Sequence, residues 1–325
     1  MNLNKFYSAC WVIYITFLSL TYISQSPLLA SDTTICLQRT EKSIVFISDT
    51  QSPIWIESLF LKERANLRVR SLLFEEIQRH MPGAVFHLGD QVAFGFCNNS
   101  WHEIDEFVKT TTQNNVPFYP ALGNHELMLF SGRGMDRFMD RYPAFEKTGY
   151  LIRIDSLAII MLNSNFDHLS EAEIQKQSEW LTKTTEQLDA DSSVKMIIMA
   201  CHHSPFTNST IVDPDEQVRW RFVPVYINSQ KARLFLSGHA HAFEHFRVGG
   251  KDFLVIGGGG GLQQPLLTGD AVRWEDNFEE KGEIRRFHYI SLEMGRTPEV
   301  LLIMADSSYT KLETRAYLKF PDVGR

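Results

Sequence analysis

Ala232-Arg-Leu-Phe-Leu-Ser-Gly-His-Ala-His-Ala-Phe-Glu-His245 governs how the rest of the chain is read, because an apolar run stops at Ser237-Gly238 and releases His239 and His241. Leu234-Phe235-Leu236 has the continuous hydrophobicity of a strand buried on both faces, and the glycine soon after it lets the backbone turn sharply at the sheet edge. The two histidines therefore stand at the carboxyl end of a strand, where open α/β sheets bind ligands. Spaced two apart, they can face one crevice if the backbone bends, and neutral imidazole suits Zn, Fe and related ions. Taken alone, the pair reads equally well as two surface histidines in a turn. The matter turns on whether hard oxygen ligands stand at other strand ends.

Such positions recur upstream. Ser43 to Ser48 is a β-branched run that ends at Asp49, followed by Thr50-Gln51 and a loop containing Pro53. Near-helical spacing of Leu59, Phe60, Leu67, Leu72, Leu73 and Ile77 predicts a helix from Glu57 to Arg79, closed by Met81-Pro82-Gly83. Ala84 to Leu88 reads as a strand ending at Gly89-Asp90. Trp101 to about Asn114 reads as a helix, and Val116 to Leu122 as a strand leading straight into Gly123-Asn124-His125-Glu126. Met135 to about Phe145 reads as an irregular, partly helical excursion. Tyr150 to Ile154 and Leu157 to Leu162 form a hairpin pattern, and Ser170-Glu-Ala-Glu173 is a capping box ahead of a helix whose Trp180-Leu181 pair belongs to the core. Val194 to Ala200 is a strand ending in Cys201-His202-His203-Ser204-Pro205. Phe253 to Ile256, five glycines at 257 to 261, and apolar runs near His288 to Leu292 and Val300 to Met304 complete the pattern.

The chain has 325 residues and is 44% hydrophobic, ample for a large core. Residues 1 to 30 have the order of a secretory signal: Lys5, an apolar stretch from Ala9 to about Ile23, then Pro27-Leu-Leu-Ala30 with cleavage after Ala30. The apolar stretch is shorter than the roughly 20 residues a membrane span needs, so no stable span is expected after processing, an uncleaved anchor being the other reading. One domain over 31 to 325 is expected, because no repeat, heptad array or low-complexity linker interrupts it. A periplasmic or secreted location permits one disulfide among Cys36, Cys97 and Cys201, and Cys36 with Cys97 is the expected pair because Cys201 ends a buried strand. The formal net charge is −7 without a basic run, which argues against binding a nucleic-acid backbone, although a metal site still draws phosphate locally.

Each of Asp49, Asp90, Asn124, His125, His202, His239 and His241 has an ordinary explanation, since Asp and Asn favour turns. Together they are hard to explain that way. Carboxylate, amide and imidazole ligands converging on one edge are what two neighbouring divalent ions require. At these blocks, Asp49-Thr50-Gln51, Gly89-Asp90, Gly123-Asn124-His125-Glu126, His202-His203-Ser204-Pro205 and Gly238-His239-Ala240-His241, the chain resembles the calcineurin-like metallophosphoesterases. The blocks fall in family order over about residues 44 to 260. Gly-Asn-His-Glu and Gly-His-Ala-His-Ala-Phe-Glu look closest to the purple acid phosphatase branch.

The resemblance implies an α/β four-layer sandwich, two mixed β-sheets flanked by helices. It implies two divalent or trivalent ions, of Fe, Mn, Zn or Mg. Asp49, Asp90 and His241 would hold one and Asp90, Asn124, His202 and His239 the other, with Asp90 as the bridge. His125 would stabilise the charged phosphoryl group or protonate the leaving oxygen.

Gln51 stands where the family usually has histidine; it is expected to ligate the first ion through its amide oxygen, the other reading being a contact to bound water. Ala93 replaces the tyrosine of the purple enzymes, so tyrosinate ligation is not expected. His202 and His203 compete for one ligand position, with His202 preferred and the other lining the substrate side. The glycines 257 to 261 read as a loop rimming the site, a phosphate cradle being the other reading. Arg133 and Arg137 read as solvated loop charges, or as groups that reach phosphate. His245, Phe243 and Phe246 read as packing or rim residues. The expected function is hydrolysis of a small phosphorylated substrate, monoesters favoured. Its rivals are a phosphodiesterase for cyclic or nucleotide substrates and a metal-binding interaction module without turnover.

Overall fold

The computed structural model describes residues 34–37 and 42–322, so the signal segment expected at 1–30 lies outside the described residues. Apolar runs became strands and amphipathic runs became helices. In chain order these are β1 (Thr34–Leu37), β2 (Ile44–Ile47), α1 (Asn66–His80), β3 (Ala84–His87), α2 (His102–Gln113), β4 (Phe118–Pro120), α3 (Asn124–Leu127) and α4 (Ser131–Arg141). There follow β5 (Tyr150–Ile154), β6 (Leu157–Met161), α5 (Glu171–Ala190), β7 (Met196–Ala200), α6 (Glu216–Arg221) and α7 (Val223–Asn228). The chain closes with β8 (Ala232–Ser237), β9 (Phe243–Val248), β10 (Lys251–Ile256), β11 (His288–Glu293), β12 (Glu299–Ala305) and β13 (Leu312–Lys319).

The strands make two mixed sheets, a seven-stranded one in the order β1-β5-β6-β7-β8-β10-β9 and a six-stranded one in the order β13-β12-β11-β2-β3-β4. Strand side chains alternate between two cores. Ile159, Met161, Ile198, Ala200, Leu234 and Leu236 join the core that also holds β2, β3 and β11, while Ile160, Ile197, Met199 and Phe235 join a second core under α5, α6 and α7. That two-sided burial is why these strands read as unbroken apolar runs rather than alternating ones. Val69, Leu73 and Ile77 of α1 and Ile104 and Phe107 of α2 pack with the six-stranded sheet. Helices therefore flank both sheets. Among the described residues no helix is long and apolar enough to cross a membrane.

Strands β2, β3 and β4 run parallel, as do β7, β8 and β10, so the carboxyl ends of each group share one edge. Both edges lead into the site described below.

Several expectations need correction. The helix expected from Glu57 begins only at Asn66, because residues 57–59 make a separate single turn and Leu59 and Phe60, counted as a buried face, are exposed. The strand expected over 116–122 shortens to Phe118–Pro120, and the excursion near Met135 is a regular helix, α4. Cys36, Cys97 and Cys201 are all free thiols. The expected Cys36 and Cys97 bridge is absent because Cys36 lies on β1, paired with β5 of the seven-stranded sheet, whereas Cys97 precedes α2 beside β4 of the other sheet.

Candidate metal centre

Each run that ends in a polar residue leaves its sheet abruptly. Asp49, Asp90 and His239 all adopt left-handed backbone angles, with φ of 58°, 55° and 67°. Such angles in non-glycine residues cost on the order of 1–3 kcal/mol each and persist where the surroundings over-determine them. Here the surroundings are backbone. Asp49 N–H donates to Gly89 O (3.1 Å), Thr50 and Gln51 N–H donate to Asp90 O (2.9 and 3.1 Å), and His239 N–H donates to both carboxylate oxygens of Asp49 (3.0 Å each). The glycines beside them are there for room: a Cβ on Gly123 would stand 2.2 Å from Asp90 Oδ1, and one on Gly238 would stand 2.3 Å from Asp49 Oδ2.

These bends gather side chains from both sheets into two groups. Asp49, Asp90 and His241 place one donor atom each within 4.8 Å of one another, and so do His202, His203 and His239. The groups adjoin, since His202 Nε2 lies 3.3 Å from Asp90 Oδ2 and 3.0 Å from Asn124 Oδ1. Gln51 Nε2 lies 3.1 Å from His241 Nε2 and 3.4 Å from Asp90 Oδ2, and its Oε1 is buried without a partner. Every residue singled out at a strand end thus reaches one place. Of the two neighbouring histidines, His202 faces Asp90 and Asn124, while His203 pairs through Nδ1 with Ser164 Oγ (2.8 Å) and lines an adjoining cavity.

One device orients three of the rings. Nδ1–H donates to a backbone carbonyl in His202 (Leu88 O, 3.0 Å), His241 (Leu262 O, 2.6 Å) and His125 (Ala93 O, 3.0 Å). In that tautomer Nε2 keeps its lone pair and faces the centre, the arrangement that suits an imidazole to a metal.

The electrostatics agree. Asp49 and Asp90 are 0% and 1% exposed, and among the described residues their ion pairs are to imidazoles alone. Burial works against charge on Asp90, but His202 and His125 outweigh it and hold the carboxyl well below its ordinary value. Burial likewise opposes charge on His202, yet Asp90 lifts it to about 9. Burial and the charge on His202 push His203 down to about 3, and burial, His203 and His202 push His239 well below its ordinary value. Three adjacent imidazoles cannot all carry charge, so lone pairs remain available.

Three supports escaped the sequence reading. Glu126 accepts backbone N–H groups from Asp90 (3.0 Å), Gln91 (2.7 Å) and Gly123 (2.8 Å), fixing two strand ends to one carboxylate; its place in the Gly-Asn-His-Glu block was the available signal. His87 is buried, accepting from Gly89 N–H at Nδ1 (3.2 Å) and meeting Thr50 Oγ1 at Nε2 (2.9 Å). Glu57 Oε1 lies 3.9 Å from His125 Nε2, a contact across 68 residues with no local signal.

The glycine run 257–261 is a buried loop against the centre, where a Cβ on Gly261 would stand 2.5 Å from His241 Cε1 and one on Gly257 3.1 Å from Asp49 Oδ2. Gly259 N–H donates to Ser48 O (2.9 Å) and Gly261 N–H to Asp49 O (2.8 Å), so the run packs beneath the centre with those amides already engaged. Arg133 stacks over Phe130 at 5.9 Å and Arg137 lies on the same helix, α4. Phe243 and Phe246 are buried and His245 bonds Asp252 (2.9 Å) and Tyr317 (2.9 Å), so all three pack. The adjoining cavity, about 410 Å³, is lined by Asn124, His203, His239 and polar or acidic residues of 164–168 and 213–217.

The profile of the calcineurin-like phosphoesterase family matches residues 42–243. No curated protein matches the chain in sequence. Among solved structures, a purple acid phosphatase from yellow lupin (Lupinus luteus) seeds superposes with a TM-score of 0.57 at 15% identity, over 87% of this chain and 54% of that one. The chain thus spans about half the length of the lupin protein. GAP50, the anchor in the inner membrane complex of Plasmodium, superposes with a TM-score of 0.57 at 11% identity, over 86% of this chain and 90% of that one. Identities this low speak to the fold, two mixed sheets between helices.

Proposed function

The chain belongs to the calcineurin-like phosphoesterase family, and on that premise we propose that it hydrolyses phosphate esters, monoesters before diesters, at two metal ions. The observation that carries this reading is the pair of fully buried carboxylates, Asp49 and Asp90, faced by imidazoles and by the Gln51 amide, whose Oε1 has no partner. Asp49, Asp90, His241 and Gln51 would hold one ion, and Asp90, Asn124, His202 and His239 the other. Turning the Gln51 amide over, an isosteric change, brings its oxygen to the position 3.1 Å from His241 Nε2. Carboxylate, amide and imidazole donors fit Fe, Mn, Zn or Mg. Ions of this kind lower the pKa of water to near neutrality and offset charge at phosphorus.

The chain's own groups supply the rest. His125, held through Nδ1, points Nε2 into the space between Asp90 and Glu57, 3.9 Å from each, where the ring in its imidazolium form can give the Nε2 proton to the leaving oxygen. His203 lines the cavity and can hydrogen-bond the substrate. A second reading, a metal-binding interaction module without turnover, draws support from Gln51 and from the anchoring role of GAP50.

Metal-stripped protein refilled with Mn, Fe, Zn or Mg, assayed on an aryl phosphomonoester beside an aryl phosphodiester, decides between them. Monoester turnover with two ions per chain is expected. Two ions without turnover under any metal establishes the interaction module, and turnover of the diester alone reverses the substrate preference. Export to the periplasm or beyond belongs to the same proposal, supported by the charge, apolar run and small residues of 1–30. A mature amino terminus at Ser31 is its expected mark.

A further inference from the structure

Exposed apolar side chains are unevenly spread over this molecule. Of the eleven large hydrophobic residues exposed among the described ones, six lie in two short segments: Trp55 (76%), Ile56 (48%), Leu59 (67%) and Phe60 (80%) in the first, Leu129 (74%) and Phe130 (54%) in the second. Both segments are tied to His125. Residues 54–61 form a tight turn closed by Phe60 N–H and Leu61 N–H on Glu57 O (2.9 and 2.8 Å), and the Glu57 carboxylate reaches His125 Nε2 at 3.9 Å while accepting Ile54 N–H at 3.2 Å. Leu129 and Phe130 follow the short helix that carries His125, and the Phe130 ring packs edge-on against Phe96 at 4.9 Å, on the segment whose Ala93 carbonyl holds His125. The far side of the centre is different in kind, since the cavity beside His203 and His239 is lined largely by carboxylates, amides and imidazoles.

We propose that the two segments form an apolar cradle for the hydrocarbon part of an amphiphilic phosphate ester, whose leaving oxygen faces His125. The inference rests on the phosphoesterase reading above, because that reading is what places the leaving oxygen at His125. A group that leaves from phosphorus has to lie near its proton donor, and the two segments that carry these six exposed side chains are the ones tied to His125, one through Glu57 and one through the helix that bears it. In the reaction water adds at phosphorus and the P–O bond to the alcohol breaks. The proton from His125 goes to the departing alkoxide, and the surplus proton of the attacking water replaces it, so alcohol and inorganic phosphate are the products. Exposed apolar side chains gathered in this way mark a binding surface, and their attachment to His125, through Glu57 at 3.9 Å and through the helix ending at Leu127, selects the substrate's own chain over a separate macromolecule.

The test uses the full chain refilled with metal and a series of n-alkyl phosphates from ethyl to octyl, below their aggregation limits. Burial of each added methylene is expected to raise kcat/KM about fourfold until the cradle is filled. Trp55→Ser with Phe60→Ser, and separately Leu129→Ser with Phe130→Ser, should lower the octyl-to-ethyl ratio of kcat/KM at least tenfold. Trp220→Ser, an exposed aromatic on α6, should leave that ratio alone. Octylphosphonate, which has no ester bond to break, should shift tryptophan emission to the blue, and the shift should vanish in Trp55→Phe. Turnover of ethyl phosphate with a flat chain-length profile overturns the cradle and leaves the phosphatase reading standing. A flat profile together with vesicle binding that the same serine variants abolish also overturns it, in favour of a lipid surface. Octylphosphonate binding without hydrolysis of any ester keeps the cradle and overturns the phosphatase reading, and silence in both measurements overturns both.

Discussion

At the edge of the six-stranded sheet, the candidate ligands that face the centre are Asp49, Gln51, Asp90 and Asn124, with the imidazole of His125 beside them, whereas the seven-stranded sheet presents His202, His203, His239 and His241. One half supplies oxygen and negative charge, the other nitrogen and, in part, positive charge. Neither half is a site by itself. Asp49 and Asp90 without the imidazoles would be buried charges lacking a partner, which costs several kcal/mol per ion. The imidazoles without Asp90 would lose the partner that lifts His202 to about 9. The halves are also stitched together mechanically: His202 Nδ1–H donates to Leu88 O (3.0 Å), His239 N–H to Asp49 (3.0 Å) and Gly261 N–H to Asp49 O (2.8 Å). The centre therefore exists only when the two sheets are docked, which couples site geometry to the core between them.

The largest effect should come from the residue both halves share. Asp90 accepts His125 N–H at Oδ1 (2.8 Å) and faces His202 at Oδ2 (3.3 Å). Asp90→Ala is expected to lower kcat/KM on an aryl phosphomonoester by on the order of 10³-fold or more and to reduce bound metal below two per chain. Elemental analysis beside the assay checks it. A variant that kept its metal and its rate would dissolve the picture of two halves joined at one carboxylate.

Ligand candidates of both halves were legible in the sequence, and the reason is local. A strand buried on both faces is an unbroken apolar run, and the first polar residue after it marks the edge, so Asp49, Asp90, Asn124, His202 and His239 could be placed without knowing how the sheets pack. β13 was not legible, because its residues are mostly exposed or half-buried and alternate weakly. α6 and α7 are six residues each, too short for a period to show. The apparent helix from Glu57 failed because apolar spacing alone cannot tell a buried face from an exposed one; Leu59 and Phe60 fit the period and face solvent. Contacts such as Glu57 with His125 or Ser164 with His203 depend on tertiary docking and leave no trace in spacing.

A middling effect should come from making the oxygen half more like its neighbour. If Gln51 ligates through Oε1, then Gln51→His replaces a weak donor by imidazole, and the affinity of the first ion should rise by on the order of tenfold while the stoichiometry stays at two. Competition against a metal-indicator dye measures this. Unchanged affinity would show that Gln51 only borders the ion and that three residues hold it.

The smallest effect concerns how each half is braced, for each has one buried glutamate that gathers loop donors. In the oxygen half it is Glu126, and in the imidazole half it is Glu244, three residues after His241, which accepts Thr207 Oγ1–H (2.5 Å) and Asn208 N–H (2.8 Å). Burial is the main reason that Glu244 is pushed up to about 7, against the pull of those two donors. A carboxyl whose folded pKa lies above its unfolded one binds its proton more tightly when folded, so its contribution to stability is complete below about 4.5 and is lost as pH rises through about 7. The contribution is on the order of 1–3 kcal/mol. Glu244→Gln keeps the shape and removes the titration, so the difference in Tm between variant and parent should change across pH 5 to 8 in the variant's favour at the alkaline end. A constant difference would mean that Glu244 does not titrate across that range and that its burial leaves no pH-dependent mark on stability.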